Sequence, residues 1–355
     1  MSLCNLCKFV HLRKKKSMIT KIISEDLIQR AKHLLHHSDV VAIVSHQGPD
    51  GDALGSSLAM ADFLTQQGKN VQVMYPDPFP GFLDWMPGAD KALVYEKDPE
   101  ACESFLCKAD MIVCLDFNQL KRLGTLGEKI EQLKAKKLMF DHHPGPDQFA
   151  DVQISYPQFA STSEIVFRYI CRSGCFDEMT LACAECVYTG MMTDTGAFTY
   201  NSNNEEMYFI ISQLIRKGID KDDIYNKVFN NYSADRMRLM GFVLNHRMKV
   251  MPEYHTAVMS LSLKDLKDYD YQVGDTEGFV NLPLSIDGIF FTVFFREDTD
   301  KIKISFRSRG TFPTNRIASE LFDGGGHLNA SGGEFYGSME DALRLLEDSL
   351  PKYIF

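Results

Sequence analysis

Three short blocks and one further acid in this 355-residue chain carry residue types that bind metals. In His46-x-x-x-Asp50-x-Asp52, the histidine closes an apolar, β-branched run, and a Gly/Pro-rich turn then presents two carboxylates one residue apart. Asp116 closes a second apolar run at 111–115, and Asp141-His142-His143 follows a third at 137–140. Asp194 stands in Thr193-Asp194-Thr195-Gly196, at the end of a mostly apolar stretch. Imidazole nitrogen combined with several carboxylates suits Mn²⁺, Zn²⁺ or Fe²⁺ better than Ca²⁺, which prefers oxygen ligands alone. Each block taken singly also fits a solvated turn, because Asp and Gly populate turns for backbone reasons. Asp194 equally fits the N-cap of a following turn. Chance is a poor account of metal-capable side chains at the carboxyl ends of three separate strands.

A second constellation lies further on. Gly324-Gly325-Gly326-His327-Leu328-Asn329-Ala330-Ser331-Gly332-Gly333 is a loop whose backbone amides can approach a phosphate closely. A glycine run alone is a weak signal, but Arg307, Arg309 and His327 lie within twenty-odd residues of one another and favour an anion site.

These residues need a scaffold that ends its strands side by side. Strands are predicted at 40–44, 71–75, 92–95, 111–115 and 137–140. Helices are predicted at 24–37, 53–67, 99–109, 120–135, 161–172 and 181–193, with Ser24 as an N-cap and Gly68 as a C-cap. Such alternation indicates βαβ units and a mostly parallel sheet, whose ligands bind at the carboxyl ends of the strands. Residues 205–245 read as almost entirely helical, a connector. After Thr256 the pattern changes to strands at 258–261, 289–295 and 301–307 with helices at 315–322 and 339–353. The fold class is therefore α/β: a mostly parallel-sheet domain over 18–205, a helical linker over 206–250, and a smaller mixed-sheet α/β domain over 251–355.

Length alone favours two domains. A hydrophobic content of 45% and a charged content of 24% are those of an ordinary soluble globular chain. The net charge is −10, although residues 1–17 hold five basic residues and no acid, so the rest of the chain is more acidic still. That balance argues against binding long nucleic acid by broad phosphate neutralisation. No window is long and apolar enough to cross a bilayer. Residues 1–17 read as a disordered arm or tag, not a secretory signal, because the basic run follows the short apolar stretch. Nine cysteines, an odd number scattered through apolar segments, point to reduced thiols in a cytoplasm. Cys4-x-x-Cys7 and Cys183-x-x-Cys186 have zinc spacing, but the second pair sits in a helical apolar run where buried thiols are common.

Taken in order, the blocks around His46, Asp116, Asp141-His142-His143 and Asp194 resemble the four motifs of the DHH phosphoesterase superfamily. Ser305-Phe306-Arg307-Ser308 and Gly-Gly-Gly-His-x-x-Ala resemble its DHHA1 domain. The similarity runs over residues 18–355, and the compact two-domain arrangement resembles the bacterial nanoRNase and pAp-phosphatase (NrnA-like) branch. The resemblance implies two Mn²⁺ ions, with Mg²⁺, Co²⁺ or Fe²⁺ as alternatives. By motif, His46, Asp50 and Asp116 hold one ion, and Asp52, Asp116, His142 and Asp194 the other, with Asp116 bridging. Asp141 and His143 complete the catalytic group by orienting ligands or touching substrate. Arg307, Arg309, Gly325, Gly326 and His327 hold the substrate phosphate. The implied reaction is hydrolysis of short oligoribonucleotides and of 3′-phosphoadenosine 5′-phosphate (pAp), without a covalent intermediate, by a protein that allows a homodimer. Cyclic or linear dinucleotides are the alternative substrates, ahead of polyphosphate or pyrophosphate. A metal-dead nucleotide-binding module would not require all these ligands.

Overall fold

A computed structural model describes residues 20–353, so the basic arm and the Cys4/Cys7 pair lie outside the described residues. The chain divides into two compact units. One comprises residues up to Tyr225, less two short segments, and the other comprises Asn226 onward together with those segments, Phe79–Phe82 and His143–Gly145.

The first unit contains α1 (Glu25–His36), β1 (Val40–Val44), α2 (Gly51–Gln66), β2 (Asn70–Tyr75), β3 (Leu93–Val94), α3 (Pro99–Leu106), β4 (Met111–Leu115), α4 (Thr125–Gln132), β5 (Lys136–Asp141), β6 (Val152–Ser155), α5 (Thr162–Arg172), α6 (Leu181–Asp194) and α7 (Glu205–Arg216). α8 (Lys221–Phe229) crosses the division. The strand order is β3-β2-β1-β4-β5-β6, and every pairing is parallel. The chain builds outward from β1 in one direction, then returns and builds outward from β4 in the other. That reversal opens a crevice past the carboxyl ends of β1 and β4, where such sheets bind ligands. Apolar runs form these strands because both faces are covered. α3 and α4 pack Cys102, Leu106, Leu126 and Ile130 onto Ala42, Val44, Ile112 and Cys114.

On the sheet's other face α2 lies almost in backbone contact with α6. A Cβ on Gly55 would stand 2.6 Å from the Cys186 carbonyl, and one on Gly190 would stand 2.8 Å from an Asp52 carboxylate oxygen. Overpacking of this kind costs about 1–3 kcal/mol.

The second unit contains α9 (Ala234–Phe242), β7 (Met248–Met251), β8 (Thr256–Leu261), α10 (Leu263–Asp268), β9 (Phe291–Glu297), β10 (Ile302–Ser308), α11 (Thr314–Leu321), β11 (Gly325–Gly326), β12 (Ala330–Phe335) and α12 (Met339–Ser349). Its mixed sheet runs β11-β12-β10-β9-β8-β7, antiparallel except for the β8–β9 pair. One face is covered by α11 and α12 through Ile317, Ala318, Ala342 and Leu346. The other is covered by Leu239 and Val243 of the α9 region together with Phe279.

Several element boundaries differ from the sequence reading. The helix predicted at 120–135 is a 3-10 turn over Leu120–Leu123 followed by α4, because Gly124 takes φ 56° and ψ −135° and breaks the helix. The 205–245 stretch is three helices, the last running into a π-helical turn over Val243–Arg247. Strands β6, β7, β11 and β12 were not foreseen; β12 carries Gly332 and Gly333, which masked its period. No helix among the described residues is long and apolar enough to cross a membrane.

Candidate metal centre

His46 and Asp116 lie just past the ends of the adjacent strands β1 and β4, and Asp141 and His142 stand at the end of β5. Asp50 is the N-cap of α2, with Oδ1 accepting from the Asp52 and Ala53 amides at 2.9 and 3.0 Å. This cap uses only one of the two oxygens. Asp52 follows in the first turn of α2, fully buried. Asp194 is the last residue of α6 and caps no following helix. The chain leaves it through Gly196, Ala197 and Phe198, all at positive φ. Non-glycine residues resist that conformation, at about 1–3 kcal/mol each. A helix C-terminus also favours a cation beside it.

Asp116 is the pivot. It takes φ 66° directly after β4, a conformation Asp tolerates better than most residues. Its Oδ2 lies 3.3 Å from His46 Nε2, and its Oδ1 lies 3.5 Å from His142 Nε2. His142 Nε2 is also 3.3 Å from Asp194 Oδ2 and 4.0 Å from Asp52 Oδ2. Donor atoms of His46, Asp50 and Asp116 lie within 4.8 Å of one another, as do those of Asp52, Asp116 and His142. Asp116 belongs to both groups.

The donor set fits divalent cations. His46 Nδ1 is 2.8 Å from the Gln47 carbonyl and His142 Nδ1 is 3.3 Å from the Phe159 carbonyl. A carbonyl only accepts, so in the neutral rings Nδ1 carries the proton and Nε2 turns its lone pair toward the space it shares with the carboxylate oxygens, where a cation would take it. Two ligands about 2.1 Å from one ion and roughly at right angles lie about 3 Å apart, close to the separations seen here. Burial pushes Asp52 well above the usual carboxylate range, and the charges of Asp116 and Asp194 add to the effect. For His142 burial opposes the cation, but Asp194, Asp116, Asp52 and Asp141 outweigh it and lift the ring to about 9. His46 is also raised: burial opposes this and its bond to Asp116 favours it. Protons thus gather where positive charge is needed, and a divalent ion would replace them.

Sequence reasoning missed the residues that hold this group still. Ser161 is the N-cap of α5, and the amides of Thr162 and Ser163 donate to Asp52 at 2.6 and 2.9 Å. Thr162 Oγ1 donates to Asp116 Oδ1 at 2.9 Å. The positive end of a helix thereby fixes a metal-facing carboxylate. Ser161-x-x-Glu164 was a legible helix-start signal, but nothing local told which carboxylate it would meet. Beneath it, Arg168 bonds Glu164 and Glu206 and lies over the Phe159 ring at 4.4 Å, supporting the segment whose carbonyl orients His142. Asp77 receives the Gly48 amide on both oxygens at 2.8 and 2.9 Å, steadying the loop between His46 and Asp50.

Asp141 is fully buried and His143 half-buried in the turn behind it. In the second unit Arg307 is half-buried on β10, its Nη1 donating to the Phe306 carbonyl at 2.9 Å, and Arg309 is exposed just beyond the strand. The glycine run is less of an open loop than expected. Gly325 and Gly326 pair with Gly332 and Ser331 as a short antiparallel ladder, and a Cβ on Gly324 would meet the Gly332 carbonyl at 2.0 Å. Part of the glycine requirement is therefore close strand contact. Only Gly325 has open space where a side chain would be. His327 follows, half-buried, its amide bonded to the Ala330 carbonyl at 2.8 Å. Cys183 and Cys186 are buried helix thiols bonded to the Ala59 and Pro87 carbonyls, and they belong to no metal-capable group found among the described residues.

Comparison with known proteins agrees with this geometry. Residues 40–191 match the DHH family, N-terminal domain, and residues 254–352 match the DHHA1 domain. The chain is 27% identical over 318 residues to the bifunctional oligoribonuclease and PAP phosphatase NrnA of Bacillus subtilis, covering 87% of this chain and 93% of that protein. It is 29% identical over 297 residues to the NrnA of Thermus thermophilus, covering 84% of each. An exopolyphosphatase-related protein from Bacteroides fragilis has a crystal structure that superposes with a TM-score of 0.90, at 53% identity, over 94% of this chain and 98% of that one. The chain belongs to the DHH family: it is a phosphoesterase-type hydrolase with a DHH domain followed by a DHHA1 domain.

Proposed function

We propose that the protein hydrolyses short oligoribonucleotides and pAp to mononucleotides with two Mn²⁺ ions. The observation that carries the reading is the sharing of Asp116 between two metal-capable groups, since a carboxylate's two oxygens can serve two ions. The names of the Bacillus and Thermus relatives supply the substrate class. In this reading His46, Asp50 and Asp116 hold one ion, and Asp52, Asp116, His142 and Asp194 the other. When bound, two such ions acidify water and offset charge on the phosphate undergoing in-line displacement. The protein's own groups do the rest. Gln47 and Phe159 carbonyls keep each imidazole turned with Nε2 outward. The first turn of α5 prevents Asp52 and Asp116 from swinging away. Asp141 adds negative charge beside His142, and His143 follows it as a contact for ligand or substrate. Arg307, Arg309, Gly325, Gly326 and His327 are assigned to substrate phosphate.

Cysteines that are unpaired among the described residues accord with a cytoplasmic setting, and a homodimer is part of the same proposal. The acidic body offers a long strand no basic track, so di- and trinucleotides should exceed 20-mers in kcat/KM, with the gap narrowing at high salt.

The test is turnover with Mn²⁺ of pAp, a diribonucleotide, cyclic di-AMP, pyrophosphate and polyphosphate side by side. We expect pAp and the diribonucleotide to be the best substrates. Turnover confined to polyphosphate or pyrophosphate would overturn the reading in favour of the activity suggested by the description of the Bacteroides relative.

A further inference from the structure

The last turn of α1 and its C-cap carry three histidines, His33, His36 and His37, that the metal centre does not use. All three are exposed, so core packing does not account for them. The His37 amide donates to the His33 carbonyl at 3.3 Å, which continues the helical repeat through the cap and sets the two side chains one turn apart on one face. Their ring centres lie 4.2 Å apart with the planes tilted by 47°. The His36 and His37 rings lie 5.1 Å apart, edge to face.

A protonated histidine near a helix C-terminus is favoured by the macrodipole. That effect gives no reason for rings to gather, since two imidazolium charges at such a separation repel. Neutral rings sharing one cation suit the arrangement better. His37 Nδ1 lies 2.8 Å from the His33 carbonyl. The carbonyl only accepts, so in the neutral ring Nδ1 carries the proton and Nε2 keeps its lone pair. Among the described residues the His33 ring has no hydrogen bond or ion pair, which leaves its lone pair uncommitted. An ion about 2.1 Å from each ring nitrogen lies about 3.2 Å from each ring centre, and ligand angles of roughly 90–110° then separate the centres by about 4.5–5.2 Å. The His33 and His37 rings need open only slightly to reach that spacing, and their exposure permits it. His33 and His36 also border a groove with Arg30, Lys32 and Asp151. Those charged groups are engaged: Arg30 donates to the Asp151 carbonyl at 2.8 Å, Lys32 to the Ser173 carbonyl at 3.4 Å, and Lys136 to Asp151 Oδ1 at 2.7 Å.

We propose that His33 and His37 form a surface chelate, completed by water, for a divalent cation of the nickel, copper and zinc class. Nitrogen donors without a carboxylate select these ions over Mn²⁺, which sets the pair apart from the carboxylate-rich centre. The helix C-terminus adds its partial negative charge beside the ion. The inference stands apart from the phosphoesterase reading.

Ni²⁺ is the probe, titrated by calorimetry into the full-length, Mn²⁺-treated protein, with nickel and manganese counted after dialysis. Wild type should show a Ni²⁺-binding step that releases no manganese. His33→Ala and His37→Ala should each weaken that step about tenfold or more, at least the loss that follows removal of a ligand's supporting partner. His36→Ala should weaken it less. Exposed positions keep all three variants folded, and their turnover should match wild type because none belongs to the catalytic group. A Ni²⁺ isotherm unchanged in both His33→Ala and His37→Ala would overturn the site, as would a greater loss in His36→Ala than in either. Manganese released in step with nickel uptake would put the ion in the carboxylate centre and overturn it as well. The comparison of wild type with variants decides the chelate whatever the substrate panel shows about ester hydrolysis.

Discussion

The ends of β1, β4 and β5 in the first unit and the β10–β12 region of the second both concentrate residues suited to an anionic substrate, yet they are built differently. Asp52, Asp116 and His142 are each at most 5% exposed, and each is held by a group from another element: the α5 amides, the Thr162 hydroxyl and the Phe159 carbonyl. In the second unit Arg309 and Gly325 are exposed, Arg307 and His327 are half-buried, and Arg307 donates to the Phe306 carbonyl of its own strand. The first region is set rigidly before any ligand arrives, which suits metal coordination with its narrow tolerance in distance. The second is more open to solvent, which on the proposed reading suits residues that meet the phosphates of a substrate.

The strongest test of this contrast is Asp116→Ala. It should abolish turnover, by about 10³-fold or more, since it takes a ligand from both groups at once. Retention of wild-type activity after chelation and Mn²⁺ addition would break the contrast at its centre. Thr162→Val keeps the amide that holds Asp52 but removes the hydroxyl that holds Asp116. Loss of such a supporting bond should cost about 10- to 100-fold in metal affinity, read by competition with a chelating dye. In the second unit, Arg307→Lys keeps charge and loses the planar fork. KM should rise about tenfold with manganese content unchanged; lost manganese would erase the distinction between the regions.

A smaller effect should appear in stability against pH. The His142 ring is raised above its ordinary 6.5 to about 9, so in metal-free protein its contribution is complete below about 6.5 and lost as pH rises through about 9. Asp52, also raised, shifts stability in the same direction from lower pH upward. The metal-free Tm should therefore fall by a few degrees between pH 6.5 and 9. Manganese should flatten the slope, and His142→Asn should remove the upper part of it. Smallest of all, Cys183→Ala should leave turnover within about twofold, because the thiol is a buried packing group on α6. A large loss there would extend the rigid region further down the helix than its contacts indicate.

Much of the architecture was legible because its signals are local. Apolar runs at 111–115 and 40–44 became β4 and β1 at those bounds, and the candidate ligands stood where the runs stopped. Glycine was read less well. Gly124 split a helix, and the 324–333 run hid two strands, because glycine's effect depends on the φ it adopts and the backbone it meets, neither of which is local.

Sequence by itself determined which chemistry was available: imidazole and carboxylate at strand ends, arginine and glycine in a later block, and a net negative charge. Tertiary structure decided how those groups meet. Asp52 is held by amides 110 and 111 residues away, and Asp116 by a hydroxyl 46 residues away. The two carboxylates and His142 converge because parallel pairing aligns the ends of β1, β4 and β5, and because Gly55 and Gly190 let α2 and α6 close together. A strand's period is written in neighbouring residues, whereas the partner of a buried carboxylate is chosen by packing among elements far apart in the chain.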